Sequence, residues 1–388
     1  MKKTLAAAAV LGAFAGSAIA ADVTLYGVID MGLNYSHVDT DTKAKDIDSF
    51  SMESGQLAGS RWGLKGTEDL GNGLTVGFVL ENGFSADNGS EGDGPMFDRE
   101  SMLFVEGGFG KLAFGRIGSF NQGQGSFTKI GMLSPLGTSF GNYSAQAGNV
   151  FATTGRLDNS IVYQSPAFAG FQVLAMYSMG KNGEGENESS TDRYYALGAT
   201  YKNGPLAAYL GVDSINYKTA KLGEGDAIDA DDSLTVTLGG SYDFEVVRAY
   251  FGAQYFDETK IGNLGGIVDN NASLNPYGAS ATLFQNLRVK GYSILLGADA
   301  PVAGGKLMAA AAYMDAEQSD WTKDFTGAEF DLTRWVVSVG YDYPLSKRTD
   351  VYGALSYLND KFEASQANEK LDWNPSAYTV MLGMRHTF

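Results

Sequence analysis

The run Val23-Thr24-Leu25-Tyr26-Gly27-Val28-Ile29-Asp30-Met31-Gly32-Leu33-Asn34-Tyr35-Ser36 decides the fold class. Val23, Leu25, Gly27, Ile29, Met31, Leu33 and Tyr35 are apolar, small or aromatic, while Thr24, Tyr26, Asp30, Asn34 and Ser36 hold the other parity. Extended chain points successive side chains to opposite faces, so this is a strand with one greasy and one wet side. The pattern returns in Leu74, Val76, Phe78 and Leu80 against Thr75, Gly77 and Glu81. It returns again in Leu157, Ile161 and Tyr163 against Arg156, Asp158, Ser160 and Gln164, and near the end in Tyr378, Val380, Leu382 and Met384 against Thr379, Gly383 and Arg385. From Asp22 to Phe388 such segments number about sixteen, each of roughly ten residues, the length of a tilted membrane-crossing strand. The even count predicts a closed, all-β, 16-stranded antiparallel transmembrane barrel over residues 21–388.

The first twenty residues differ from the rest. Lys2 and Lys3 precede an apolar run from Leu5 to Ala15, and small residues end at Ala18-Ile19-Ala20. This is the pattern of a secretory signal peptide, with the mature chain expected to begin at Ala21. No later apolar stretch reaches the ~18 residues of a spanning helix. Cysteine is absent, so neither disulfides nor thiolate metal sites are available. The formal charge is −17, and loss of the two positive charges of Lys2 and Lys3 takes it to −19. Such a polyanion is a poor partner for nucleic acid, whose phosphates are bound by clustered Lys and Arg.

Connections alternate in length. Turns rich in Gly, Pro, Asn and Asp stand at Glu68–Gly73, Ser165-Pro166, Lys202–Pro205, Ala300–Gly305 and Tyr343–Ser346. Long polar loops lie between them at His37–Phe50, Gly180–Asp192, Lys218–Ser233, Gln318–Asp331 and Asn359–Trp373. Short turns on one side and long loops on the other are the outer-membrane arrangement. Tyr201, Tyr242, Tyr341, Tyr343, Tyr357 and Phe388 fall near strand ends, where interfacial girdles belong.

The blocks Ala21–Asp30, Gly59–Leu74, Phe109–Arg116, Arg156–Pro166 and Leu382–Phe388 resemble, in this order, the general porins of the β-proteobacterial outer membrane, within the Gram-negative porin family. The resemblance implies a homotrimer of sixteen-stranded barrels with a long third extracellular loop folded into the lumen. It also implies outer-membrane lipid and lipopolysaccharide as surroundings, barrel-assembly machinery that reads the aromatic end at Phe388, and small ions and solutes as cargo passing by diffusion. No cofactor is expected. Two departures stand out: Glu100 and Ile117 follow Arg99 and Arg116 where the family usually has glutamine, and Glu258–Leu287 is long and irregular enough to obscure a strand boundary.

Selectivity in a pore is set where it is narrowest. Ser119–Gly155 is uncharged apart from Lys129 and is the expected constriction loop, since a loop of this length needs a role and an unpaired charge inside would be costly. Parity places Arg61 and Lys65 inward, opposite Trp62 and Leu64; it places Arg99 with Ser101 opposite Met102 and Phe104, and Arg156 with Asp158. By resemblance, Arg61, Arg99 and Arg156 match the family's wall cluster, with Glu81 and Asp158 as nearby acidic residues. Guanidinium groups ~5 Å apart repel by roughly 3 kcal/mol at an effective dielectric of 20, and arginine cannot relieve this by deprotonation. A positive field open to anions is expected.

Other classes fare worse. An enzyme needs a nucleophile and a base, but the only histidines are His37 and His386, and no G-x-S-x-G elbow is expected. Glu224, Asp226, Asp229, Asp231 and Asp232 lack the spacing of a calcium loop and read as a solvated acidic loop, with a divalent cation as the alternative. A soluble β-solenoid adhesin would repeat its sequence, and this chain alternates without repeating. A substrate-specific channel is the runner-up; its aromatic track would draw on Tyr26, Tyr194, Tyr250, Tyr292 and Tyr352, which have inward parity.

Overall fold

The structure, a computed structural model, describes residues 22–388 apart from 44, 93, 181–190, 218–230, 276–279, 328 and 367–368. The expected signal peptide, most of the loop at Lys218–Ser233 and the acidic positions Glu224, Asp226 and Asp229 therefore lie outside the described residues.

Sixteen staves form one antiparallel ring. They are β1 (Thr24–Asp39), β2 (Ile47–Ser54 continued by Arg61–Gly71), β3 (Leu74–Gly83), β4 (Glu100–Gly107), β5 (Gly110–Gly118) and β6 (Arg156–Gln164). Next come β7 (Phe171–Ser178), β8 (Arg193–Asn203), β9 (Leu206–Asn216), β10 (Leu234–Asp243) and β11 (Arg248–Lys260). The ring is completed by β12 (Arg288–Val302), β13 (Gly305–Gln318), β14 (Glu329–Pro344), β15 (Thr349–Gln366) and β16 (Glu369–Trp373 continued by Ser376–Thr387). Both parts of β2 pair with β1, and both parts of β16 pair with β15, so each interruption is a kink within one stave. The kink in β2 is held by Asp30, whose carboxylate accepts from the Leu57 and Ala58 amides at 2.9 and 2.6 Å and from the Tyr352 hydroxyl at 2.5 Å.

Closure joins β1 to β16 from Val28 opposite Thr387 to Asp39 opposite Ser376. A final rung exchanges two bonds between Gly27 and Phe388 at 3.1 Å. Among the described residues no edge strand is left to face lipid, as the bilayer core requires.

The outward face carries the apolar parity: Leu25, Ile29, Leu33, Val337, Leu382 and Met384 are exposed from the chain. Aromatic rings form two belts on that face. Phe171 with Tyr201, Tyr242 with Phe244, and Tyr341 with Tyr343 lie at the short-turn end. Tyr177 with Tyr195, Trp335 with Tyr357, and Tyr292 with Tyr313 lie toward the long loops. Tyr292 is therefore a belt residue and not an inward one, because Ser293, fully buried, takes the luminal side.

Strands run beyond the expected boundaries at the loop end. His37–Asp39 and Ile47–Phe50 continue β1 and β2, and much of Asn359–Trp373 continues β15 and β16. Gln318–Asp331 contains a short helix, Asp320–Thr326, capped by the Ser319 hydroxyl. Between β11 and β12 the irregular stretch holds two short helices, α1 (Gly266–Asn270) and α2 (Ala281–Asn286), and no further strand among the described residues. The sixteen-stave count is unaffected.

Candidate functional site

Ser119–Gly155 leaves β5 and returns to β6 after crossing to distant staves. Phe120, Phe127, Ile130, Leu133, Phe140 and Phe151 are almost wholly buried in one apolar cluster with luminal wall residues. Polar bonds fix it at intervals. Asn121 donates to both oxygens of Asp213 on β9, Ala152 N–H to Gln254 on β11 at 2.6 Å, and Ala145 N–H to Ser338 on β14 at 2.8 Å. Phe140 N–H reaches the Gln56 carbonyl in the β2 kink at 2.7 Å. The segment contains no carboxylate.

The basic residues gather beside the root of this loop. Glu81 on β3 pairs with Arg99 Nε at 2.7 Å and Arg61 Nε at 3.4 Å, and it accepts from the Tyr26 hydroxyl at 3.0 Å. Gln124 of the loop accepts from both arginines, at 2.8 Å from Arg99 and 3.4 Å from Arg61. Arg156 lies in the fields of Arg99, Arg116, Asp98 and Glu81, and its Nε has no hydrogen-bond partner among the described residues. Arg116 pairs with Asp158 and donates to the Asp98 carbonyl at 2.8 Å. Lys65 sits over the Tyr26 ring, 5.1 Å from its centre. Lys129 is partly buried in the loop, and desolvation there pushes its ammonium below the ordinary lysine range.

Two parity arguments fail locally, for identifiable reasons. Met102 and Phe104 face the lumen, being 5% and 8% exposed where Leu103 is 56% exposed. They line one hollow with Lys65, Lys111 and Phe127. Arg99 reaches Glu81 because it precedes the first paired residue of β4 and is free of the strand's alternation. On β6 a register shift between Gly115 and Ile117, with Asn159 at φ 51°, sets Leu157 opposite Ile117. Both are fully buried, so Leu157 does not share the outward face of Ile161 and Tyr163. A bulge re-aims side chains in this way.

Strand parity does not reach three residues of the site: Arg116, Gln124 and Glu100. Glu100, buried, accepts from Ser126 N–H at 3.2 Å and Ser126 Oγ at 2.6 Å, tying the loop's root to β4. Its position as a departure from the family's glutamine was the one available pointer. One G-x-S-x-G spelling does occur, at Gly137-Thr138-Ser139-Phe140-Gly141. It lies in the Ser119–Gly155 loop, without the strand-turn-helix of a nucleophile elbow, and the histidines are engaged elsewhere: His37 bonds Asp48 and His386 bonds Thr349. Asp231 and Asp232, the described part of the acidic loop, are engaged by Arg288 and Asn216.

Residues 6–363 match the Gram-negative porin family. The chain is 34% identical to an outer membrane porin protein of Bordetella pertussis and 30% identical to outer membrane porin protein 32 of Delftia acidovorans, with 100% of every chain covered. Among solved structures, an anion-selective porin from Comamonas acidovorans is similar at 28% identity and a TM-score of 0.67, over 95% of this chain and 100% of that one. The chain belongs to the Gram-negative porin family: it is a non-enzymatic channel of the outer membrane.

Proposed function

We propose that the channel prefers small anions, with Arg61, Arg99 and Arg156 as the selective wall, Lys65 and Lys129 adding to the field, and Glu81 and Asp158 moderating it. The observation that carries this reading is the asymmetry of the site. Arg61, Arg99, Arg116 and Arg156 gather beside the root of a loop with no carboxylate, and among the described residues Arg156 Nε has no hydrogen-bond partner. Low-dielectric walls focus such a field, whereas carboxylates such as Asp39 and Asp41 on the outer loops are screened over a Debye length of ~8 Å. The similar Comamonas acidovorans porin is described as anion-selective. Reversal potentials under a KCl gradient test the reading. The wild type is expected to favour chloride, and the triple variant Arg61→Gln/Arg99→Gln/Arg156→Gln to lose that preference. Potassium preference in the wild type, or an unchanged ratio in the variant, refutes it.

A substrate-specific channel with an aromatic track is disfavoured, since Tyr194 and Tyr352 are buried, Tyr352 is bonded to Asp30, and Tyr292 faces outward. We also infer cleavage after Ala20 and a homotrimer using the outward faces of the first and last staves, including Leu25, Ile29, Leu382 and Met384. Amino-terminal sequencing of the exported protein and light scattering in mild detergents test these two points.

A further inference from the structure

The stretch after β11 is more than a long loop. Ile261, Leu264 and Val268 are buried in one cluster with Phe256, Leu332 and Phe362, residues whose parity faces the lumen, and Ile267 is buried in the cluster that holds Leu133 and Phe151 of the Ser119–Gly155 loop. At the centre lies an ion pair with almost no exposure, Arg334 (1%) on β14 with Asp360 (0%) on β15, Nε to Oδ1 at 2.5 Å. Beyond the bonds that Arg334 and Asp360 make to each other, Asp360 Oδ2 and both terminal guanidinium nitrogens bond inserted segments. Asp360 Oδ2 accepts from the Ile267 and Val268 amides at 2.8 and 2.9 Å. Arg334 donates to the carbonyls of Leu264 at 2.6 Å, Gly265 at 2.8 Å and Asn149, in the Ser119–Gly155 loop, at 2.9 Å. Thr153 N–H adds a bond to the Asn263 carbonyl at 3.0 Å.

The backbone is shaped for this contact. Gly265 and Gly266 have φ of 60° and 75°, and a Cβ on Gly266 would lie 2.0 Å from Arg334 Nη2. Only glycine lets the chain turn and lie on the guanidinium face. A buried pair that is fully bonded holds its partners, whereas one that loses a bond leaves an expensive charge.

We propose that Arg334 and Asp360 are positioning residues for transport. They latch Ile261–Ala272 inside the barrel and tie it to the Ser119–Gly155 loop, so that pore area is set by two joined insertions. The second insertion lies on β11–β15, across the ring from the arginine cluster on β2–β6. Because the latch is a neutral pair, it governs conductance and leaves ion preference to the arginines. The inference rests on the channel function alone and stands or falls independently of anion preference.

The chain has no cysteine, so Ile267→Cys gives a single reporter at a buried position. It is read with a membrane-impermeant maleimide in full-length protein, with and without Gly266→Ala, alongside single-channel recording. Expected results for Gly266→Ala are labelling that rises from negligible to complete, unitary conductance up by about 1.5-fold, and an unchanged chloride-to-potassium ratio. Heat-modifiable gel mobility confirms an assembled barrel. If Gly266→Ala does not assemble, Arg334→Met/Asp360→Leu, which removes both charges together, is read in the same way. Unchanged labelling and conductance in an assembled variant, or a fall in conductance, overturns the proposal.

Discussion

Glu81→Gln should increase anion preference, although it replaces a single carboxylate in a protein of formal charge −17. Glu81 is shared by Arg99 at 2.7 Å and Arg61 at 3.4 Å, so its charge sits within the basic cluster. For an ion passing ~5 Å away, one unit charge is worth about 0.8 kcal/mol at the dielectric of water. An anion gains this and a cation loses it, a difference of about 1.6 kcal/mol. Screening with a Debye length of ~8 Å leaves roughly half, or about a fourfold rise in the chloride-to-potassium permeability ratio. Gln124 still accepts from both arginines, which keeps them at the wall. Reversal potentials measured across a range of KCl concentrations should show the rise and its decline as salt increases. A ratio that is unchanged, or that moves toward potassium while the barrel remains heat-modifiable, would refute the placement of Glu81 in the ion path.

Arg156→Gln should lower the ratio by a similar roughly fourfold factor, and it should do so with little loss of stability, because no carboxylate pairs with Arg156 among the described residues; thermal unfolding beside reversal potentials separates the two effects. Lys129 binds its proton less well in the folded protein than in the unfolded chain, since burial lowers its pKa. Its charge should therefore leave the pore as pH rises through that lowered value, before ordinary lysines titrate, weakening anion preference in the wild type and not in Lys129→Met. Stability has the opposite sign and should increase with pH over the interval between the folded and unfolded pKa values, where the unfolded chain holds more protons. Ser126→Ala removes the 2.6 Å bond to Glu100 and should increase open-channel noise without altering selectivity, as noise spectra would reveal. Deleting Phe388 removes the last rung to Gly27 and should reduce assembled barrel in the outer membrane without affecting export, measured by fractionation and gel mobility.

The barrel was legible because its physics is periodic. Lipid demands an apolar residue at every second position, and Leu25, Ile29, Leu382 and Met384 obey this rule without reference to anything distant in sequence. The cluster of Arg61 with Glu81 was legible for the same reason, since both sit within regular strand. Arg99, Leu157 and Arg116 stand where the strand begins or bulges, and alternation there says nothing about direction. Gln124 and Glu100 act through contacts between the loop and the wall, which have no period at all.

The same distinction explains why the lumen is the less legible face. Outward residues meet one solvent, so composition alone records their environment. Inward residues meet particular partners, and each solves a separate problem: Asp30 caps a kink, Asp213 holds a loop root, and Asp360 receives two amides of α1. An acidic residue at an inward position thus reads identically in sequence whether it tunes the ion path or anchors a segment. Geometry separates the two roles. Glu81 retains 13% side-chain exposure beside the arginines, whereas Asp360 has none and spends both oxygens on bonds. Neutralising Glu81 should therefore appear in selectivity, and disrupting Asp360 in conductance and assembly, so that the readout that changes identifies the role of each luminal carboxylate.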